Sequence, residues 1–495
     1  MRRLPLALAA AFVLAGVMAP GASAVQFCVQ FAGPVCEDSS NATLQGALNA
    51  AGATTADDVI HIGPVTISED PNGPNGPGFD YTSTAGAGND VTLIGQGTGQ
   101  TTIQRSNDRE FGTFTTSTNS HVTFQDLAIF VVGNTMFDSS AFNGLRVQTG
   151  GATLTRVRVT AQDLVLSHAF NSGVRLVLAS GPLTMSDSTI DGADNGNAEC
   201  LTSTAFNTPV VIATEFVDCD FGVRAVASSN PSIDSSTFTN VNTGAQVENG
   251  ASISINRSRF IGGGGNGLYA LNFSSFGVFR LDNSLVARAA DSGGILVAPT
   301  AGNEADGTVN QSTLVGSGVS NVGLAVSNTT GDSADVKVFD SIITGFNTPI
   351  LAVSGGTATT EYSFYDFASS THTPIQGNID SQGDTVNPGF VNALASDYGL
   401  ASTSILRDRD PLTTARLGEV ITTDLAGGNR ISNGARDVGA YEFQFVPPPP
   451  VITPPTPTPT ATPTGQRAAA LKKCKKKKTK RARRNCETKA KKLPL

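Results

Sequence analysis

Through the middle of the chain, apolar and polar residues alternate with a period of two. Leu183-Thr-Met-Ser-Asp-Ser-Thr-Ile190, Ile253-Ser-Ile-Asn-Arg-Ser-Arg-Phe260 and Val336-Lys-Val-Phe-Asp-Ser-Ile342 share one phrase, apolar-x-apolar-x-polar-(Ser/Cys)-x-apolar. Such alternation predicts strands with one buried face. A second phrase follows, Asn or Asp and then Gly: Asn143-Gly144, Asn171-Ser-Gly173, Asp220-Phe-Gly222, Asn242-Thr-Gly244, Asn266-Gly267 and Asn321-Val-Gly323. Asn and Gly tolerate positive φ, so this phrase predicts a turn into another strand. With Gly196 and Gly294, these glycines recur every 22–29 residues.

A drifting repeat of that length predicts a solenoid. Propeller blades are longer, and neither a Leu/Asn code nor a 3.6-residue period is present. The expectation is an all-β, right-handed parallel β-helix with two or three short strands per coil and coils about 4.8 Å apart. The turn asparagines are expected to stack into a ladder. Ser40–Ala50 predicts a short capping helix with Leu44, Ala47 and Leu48 on one face. Val59–Ile62 and Val91–Ile94 read as the first strands, and Pro71–Gly88 as a surface excursion.

Residues 1–24 read as an export signal: Arg2 and Arg3, an apolar run, then the small-residue cleavage pattern Ala22-Ser23-Ala24. General secretion fits better than the twin-arginine route. The remaining divisions are 25–90, front cap and first strands; 91–350, coils; 351–446, last coils and a closing motif; 447–465, a Pro/Thr spacer; and 466–495, a polybasic tail expected to be disordered. The repeat fades after Leu351.

Composition agrees with many short strands: 53 Gly, 26 Phe, no Trp and 15% charged residues. The formal charge of −8 conceals two opposite parts. Gln466–Leu495 holds 14 Lys and Arg against Glu487, a net of +13. Val25–Gly465 holds 17 basic residues against 40 acidic ones, a net of −23, and Lys337 is its single lysine. Six cysteines in an exported chain permit three disulfides. Local pairing gives Cys28–Cys36, Cys474–Cys486 and Cys200–Cys219. Aligning Ile190 with Phe216 sets the last two cysteines about seven residues apart around the coil, which leaves two free thiols as the alternative.

The front segment Thr43-Leu-Gln-Gly-Ala-Leu48, the phrase Asn387-Pro-Gly-Phe-Val-Asn392, and the closing Asp424-Leu-Ala-Gly-Gly-Asn-Arg430 through Asp437-Val-Gly-Ala-Tyr-Glu442 resemble secreted bacterial β-helix proteins of the "choice-of-anchor Q" type. The resemblance spans about residues 25–445. It implies varied surface-sorting ends and no settled activity. The wider fold resembles that of pectate lyases and polygalacturonases.

Polygalacturonase-like hydrolysis needs three Asp residues and a Gly-His-Gly phrase, which is missing; His61, His121, His168 and His372 are scattered. Lyase-like β-elimination needs a carboxylate cluster holding Ca²⁺, plus a basic residue that takes the proton. The candidates are Asp187, Asp191, Asp194, Glu199, Asp218 and Asp220 for binding, with Arg224 as the base. Asp194, Asp218 and Asp220 would hold Ca²⁺. Plain turn chemistry competes for every one of these residues. Asp424, Arg430, Asp437 and Glu442 are expected to seal the last coil with charge-assisted hydrogen bonds.

The expected function is a monomeric, exported, cell-surface protein that binds extracellular polysaccharide or acts as an adhesin, with no required cofactor. Its tail would attach electrostatically to a membrane surface or an anionic wall polymer. Nucleic acid would attract the tail equally, but export makes it a poor primary target. The alternatives are a divergent Ca²⁺-dependent lyase acting on uronate polymers and a purely structural envelope protein.

Overall fold

The computed structural model describes residues 25–444 and 465–493 except 32–35, 37–40, 69–77, 84–88, 106–110, 117–119, 134–142, 149, 164–170, 178–180, 193–197, 205–207, 227, 265–267, 276, 289–291, 300–303, 318–320, 329–332 and 411–421. It divides into Met1–Gln444 and Phe445–Leu495.

The first unit is a right-handed parallel β-helix with three strands per coil. One coil runs Leu183–Ser186, Thr189–Asp191 and Ala198–Thr204. The next runs Val210–Ile212, Glu215–Val217 and Phe221–Val226, each strand parallel to its counterpart below. The first two strand tracks belong to a 25-stranded sheet and the third forms an 11-stranded sheet.

Register carries one inward residue per coil into a continuous column. The first runs Phe27, Ile60, Leu93, Phe124, Leu154, Met185, Val211, Ile233, Ile255, Leu281, Val309 and Val338. The second contains Phe216, Phe238 and Phe260, whose rings stack at 4.6 and 4.4 Å. Every residue in both runs is at most 3% exposed. One coil cannot shield such a face alone; the coil above and the coil below complete it.

The corner between the first two strands has its own chemistry. The residue before it is left-handed in coil after coil: Ser235, Arg257, Asn283, Gln311, Asp340 and Tyr362, with φ between 45° and 52°. The corner residue is a buried hydroxyl: Thr214, Ser236, Ser258, Ser284, Ser312, Ser341 and Ser363. From Thr214 to Ser341 each corner amide donates to the hydroxyl one coil on, Ser236 N to Ser258 Oγ at 3.2 Å and Ser258 N to Ser284 Oγ at 3.1 Å, and the last, Ser363 N, donates to Asn378 Oδ1 at 3.0 Å. The corner hydroxyl in turn donates to the carbonyl two residues before it, as Ser258 does to Asn256 at 2.8 Å. The expected asparagine ladder is therefore a serine ladder. Asparagine amides pair instead with Asp carboxylates one coil below, as in Asn240–Asp218 and Asn256–Asp234.

The Asn-x-Gly phrase opens third-track strands rather than forming a turn. Gly222 and Gly244 are second residues of their strands. A Cβ on Gly222 would lie 2.6 Å from the Phe238 ring, so the glycine is required for space and not for φ. Nor is Pro71–Gly88 wholly a surface excursion. Phe79–Thr82 within it is a third-track strand whose Phe79 and Tyr81 are buried.

The front cap forms as expected: helix α1 (Leu44–Gly52) buries Leu44, Ala47 and Leu48, and the Thr43 side chain caps Gly46 N. A further strand, Gln26–Val29, precedes it and pairs with Asp58–Ile62. At the other end, Tyr365 OH bonds Thr360 Oγ1 at 2.8 Å and His372 Nε2 at 2.6 Å, closing the interior with a polar network.

The closing motif does not seal the last coil. It lies along the outer flank of the second track, where Tyr398, Leu425 and Ala440 pack on Leu285 and Ala287, and Leu400, Leu406 and Val438 on Ile342 and Phe364. Ala440 N donates to Thr313 Oγ1 at 2.9 Å and Arg259 Nη2 to Leu425 O at 3.1 Å. Arg430, 1% exposed, donates to the carbonyls of Asp437 and Gly439 rather than to a carboxylate. Asp424, Asp437 and Glu442 accept backbone amides.

The described residues of the second unit, 465–493, are mostly helical rather than disordered. Helices α2 (Gln466–Lys475) and α3 (Lys480–Ala490) are joined by Cys474–Cys486. Ala, Lys and Arg are strong helix formers, Thr479 caps α3, and the disulfide holds together two helices whose charges repel. No described helix is long and apolar enough to cross a membrane.

Two outcomes follow. Ser258→Ala strands the Ser236 amide and should cost about 1–3 kcal/mol in chemical denaturation, with no change of fold by circular dichroism. Burial pushes Glu442 up to about 7 from 4.5. Its neutral form therefore adds stability that is complete below pH 4.5 and lost as pH rises to about 7. The thermal midpoint should fall across that window, and less steeply in Glu442→Gln.

Candidate binding surface

The third-track sheet carries a row of polar side chains in which Thr202 and the flanking Glu199 are buried and Arg224, Gln246 and Asn272 are half-exposed. Register places Thr202, Arg224, Gln246 and Asn272 one above another. Glu199 and Phe221 form a row on one side, and Glu248 and Ser274 a row on the other. Aligning Gly222 with Gly244 in the sequence pairs Arg224 with Gln246, whereas the spacing of Gly244 and Gly267 points to Tyr269, so Asn272 is placed only by the strand register.

Arg224 organises the surface. Its Nη1 contacts Glu199 Oε1 at 2.5 Å and its Nη2 contacts Glu248 Oε2 at 3.5 Å. The guanidinium carbon lies 5.8 Å from the Phe221 ring centroid. Thr202 donates to Glu199, and Gln246 to Glu248. Burial alone would lower the Arg224 pKa, but the bond and charge of Glu199, aided by Glu248, outweigh it and raise it. A group so held stays protonated and is a poor proton acceptor.

The other candidates are spread over separate faces. Asp187 occupies a left-handed corner position. Asp191 pairs with Arg158 at 2.8 Å on the second track. Asp218 accepts Asn240 Nδ2 at 2.6 Å and Asp220 accepts Asn242 Nδ2 at 3.1 Å. Burial raises the Asp220 carboxyl, and the charge of Glu199 adds to the rise against the Asn242 bond. Asp194 lies outside the described residues, as does His168. Among the described residues, no three His, Cys, Asp or Glu side chains converge as a metal site.

All three disulfides form: Cys28–Cys36, Cys200–Cys219 and Cys474–Cys486. The doubt over Cys200 and Cys219 is corrected by the third track. Glu199 pairs with Phe221, so Cys219 sits two residues before the strand that stacks on Cys200, and the Cα atoms come within 5.9 Å.

In the second unit, nearly every Lys and Arg side chain is exposed. Ala470, Leu493 and the disulfide line a hollow of about 530 Å³ rimmed by Lys473, Lys477 and Lys489.

Arg224→Met would remove the guanidinium that contacts the buried Glu199 carboxylate. It should destabilise the first unit by about 1–3 kcal/mol in urea titration, and Glu199→Gln in the same chain should restore part of the loss.

The family model described as "Right handed beta helix region" matches residues 172–338. No curated protein sequence matches the chain. Among solved structures, the chain is similar to pectate lyase Pel9A, with 14% identity, 80% of this chain and 90% of that one covered, and a TM-score of 0.39. It is also similar to the catalytic unit of a GH87 α-1,3-glucanase from Streptomyces thermodiastaticus, with 14% identity, coverages of 68% and 65%, and a TM-score of 0.43. Tailspike protein 3 of bacteriophage CBA120 gives 12% identity, coverages of 69% and 59%, and a TM-score of 0.38. The chain is a right-handed parallel β-helix protein.

Proposed function

We propose that the protein is exported and binds an extended polysaccharide along the outward face of its third-track sheet, with the cationic hairpin holding it to a polyanionic cell surface. One observation carries the reading: the half-exposed row Arg224–Gln246–Asn272, one polar side chain per coil, flanked by the half-exposed rings of Phe221 and Tyr269. Stacked coils present donors and acceptors at constant spacing, which suits a repeating polymer of hydroxyls. Aromatic faces flanking such a row can take the C–H faces of sugar rings. Three disulfides fit an oxidising compartment, and the resemblance to secreted proteins with varied surface-sorting ends agrees. The hairpin's hydrophobic surface is limited to alanines, leucines and the disulfide, so its partner is an anionic surface rather than a bilayer interior.

The lyase reading is weaker, because Arg224 is held protonated between two carboxylates. Ultraviolet absorbance of unsaturated products from uronate polymers with Ca²⁺ would revive it.

Two measurements test the proposal. Gln246→Ala with Tyr269→Ala, both outside the Glu199–Arg224 pair, should weaken glycan-array or sedimentation binding at least tenfold while the thermal midpoint holds. Removal of 466–495, or salt raised to about 1 M, where charges are screened within about 3 Å, should release the protein from cells. A tail-less chain that stays attached contradicts the anchoring half.

A further inference from the structure

Val25 meets a buried carboxylate that the binding surface does not use. It precedes the strand Gln26–Val29, which pairs with Asp58–Ile62 in the register Gln26↔Val59. Val59 N donates to Val25 O at 3.1 Å. Val25 N donates to Asp58 Oδ1 at 3.2 Å. Asp58 is only 2% exposed, and its other oxygen accepts from the Thr54 hydroxyl. Asp57 lies beside it in the chain, Asp90 O accepts the Asp58 amide from the next coil, and Tyr81 on the third track is within electrostatic reach. No cation acts on Asp58 among the described residues. Burial, reinforced by Asp57, raises its carboxyl pKa despite the Thr54 and Val25 bonds. A carboxylate this buried ordinarily has a cationic partner.

The sequence places a source of that charge at the right atom. The small-residue pattern Ala22-Ser23-Ala24 ends immediately before Val25. Hydrolysis of the Ala24–Val25 peptide bond by a leader peptidase consumes one water. It leaves a carboxylate on Ala24 and an amine on Val25, which takes up a proton because an α-amino group has a pKa near 8. The nitrogen that offers one neutral N–H before cleavage offers three donors and a full positive charge after it.

We propose that the Ala24–Val25 bond is the processing site, and that the α-ammonium it releases is captured by Asp58, pinning the first strand to the solenoid. This rests on the export reading. Leader removal and completion of the first coil thereby become one coupled event. The pair raises the ammonium pKa and opposes the rise that burial imposes on Asp58. Its stabilisation is complete below about pH 8 on the basic side and lost as pH rises through the folded ammonium value.

The test begins with intact-mass and N-terminal peptide analysis of the full exported chain, which should start at Val25. The processed chain is then compared with one starting a residue earlier, at Ala24, each with Asp58 intact or as Asp58→Asn. The extra residue should lower the thermal midpoint on the order of 2 °C with Asp58 intact and leave it unchanged in Asp58→Asn. The pH profile of reductive methylation should show the Val25 amine titrating above about 8 in the unsubstituted chain. This readout holds even if Asp58→Asn fails to fold. A chain cut elsewhere overturns the processing site and leaves export standing, whereas an uncut chain overturns the processing site and counts against export. A chain that starts at Val25 with an ordinary amine titration and no coupling overturns the ion pair alone and leaves export standing.

Discussion

A parallel coil that turns a corner leaves one amide facing no carbonyl, and the serine ladder answers that constraint. The left-handed residue before the corner still donates to the next coil, as Ser235 N does to Asn256 O at 3.0 Å. The residue after it donates to the coil before, as Arg259 N does to Ser236 O at 2.9 Å. Only the corner amide between them lacks a backbone acceptor. A buried amide left unpaired costs about 1–3 kcal/mol, and the penalty would recur in every coil. A hydroxyl is small enough to be wholly buried there, accepts the amide below and donates to its own chain. Ser236, Ser258, Ser284, Ser312, Ser341 and Ser363 meet this requirement one above the other.

With the corner fixed, register is fixed, and the rest follows. Phe216, Phe238 and Phe260 can stack face to face only if their strands do not slip. A one-residue slip would turn each aromatic outward and bring its polar neighbour inward. Glycines opposite these rings leave the space they occupy. The outer faces inherit the same order, which is why Arg224 lies between Glu199 and Glu248 and above Thr202. On the second track the closing motif uses that regularity too, laying its apolar residues over Leu285, Ile342 and Phe364.

Local patterning made much of this legible. Period-two alternation located the strands, and Leu44, Ala47 and Leu48 marked the capping helix. The recurrence of Ser in the strand phrase was visible, yet the ladder was assigned to asparagine, because turn propensity gives no sign of which amide lacks an acceptor. Glycine's positive-φ role was the wrong expectation for Gly222, whose constraint comes from a ring sixteen residues later in the chain. Cys200–Cys219 needed the third-track register, which the first-track alignment did not supply. In the tail, a dense run of like charge predicts disorder, whereas the helix propensity of Ala, Lys and Arg together with Cys474–Cys486 gives two helices. Of the candidate residues, Glu199 and Arg224 come together, whereas Asp187 and Asp218 occupy left-handed turn positions and Asp191 pairs with Arg158 on a second-track strand. Sequence proximity could not separate these groups, because it does not say which face of a coil each residue occupies.

The most direct measurement of the central claim is residue-resolved amide hydrogen exchange at the corners. The ladder predicts that the amides of Ser236, Ser258, Ser284 and Ser312 exchange as slowly as those of the flanking strands, since each is buried and bonded to the next hydroxyl. Exchange at loop-like rates at these four amides, with the adjoining strands protected, would contradict it.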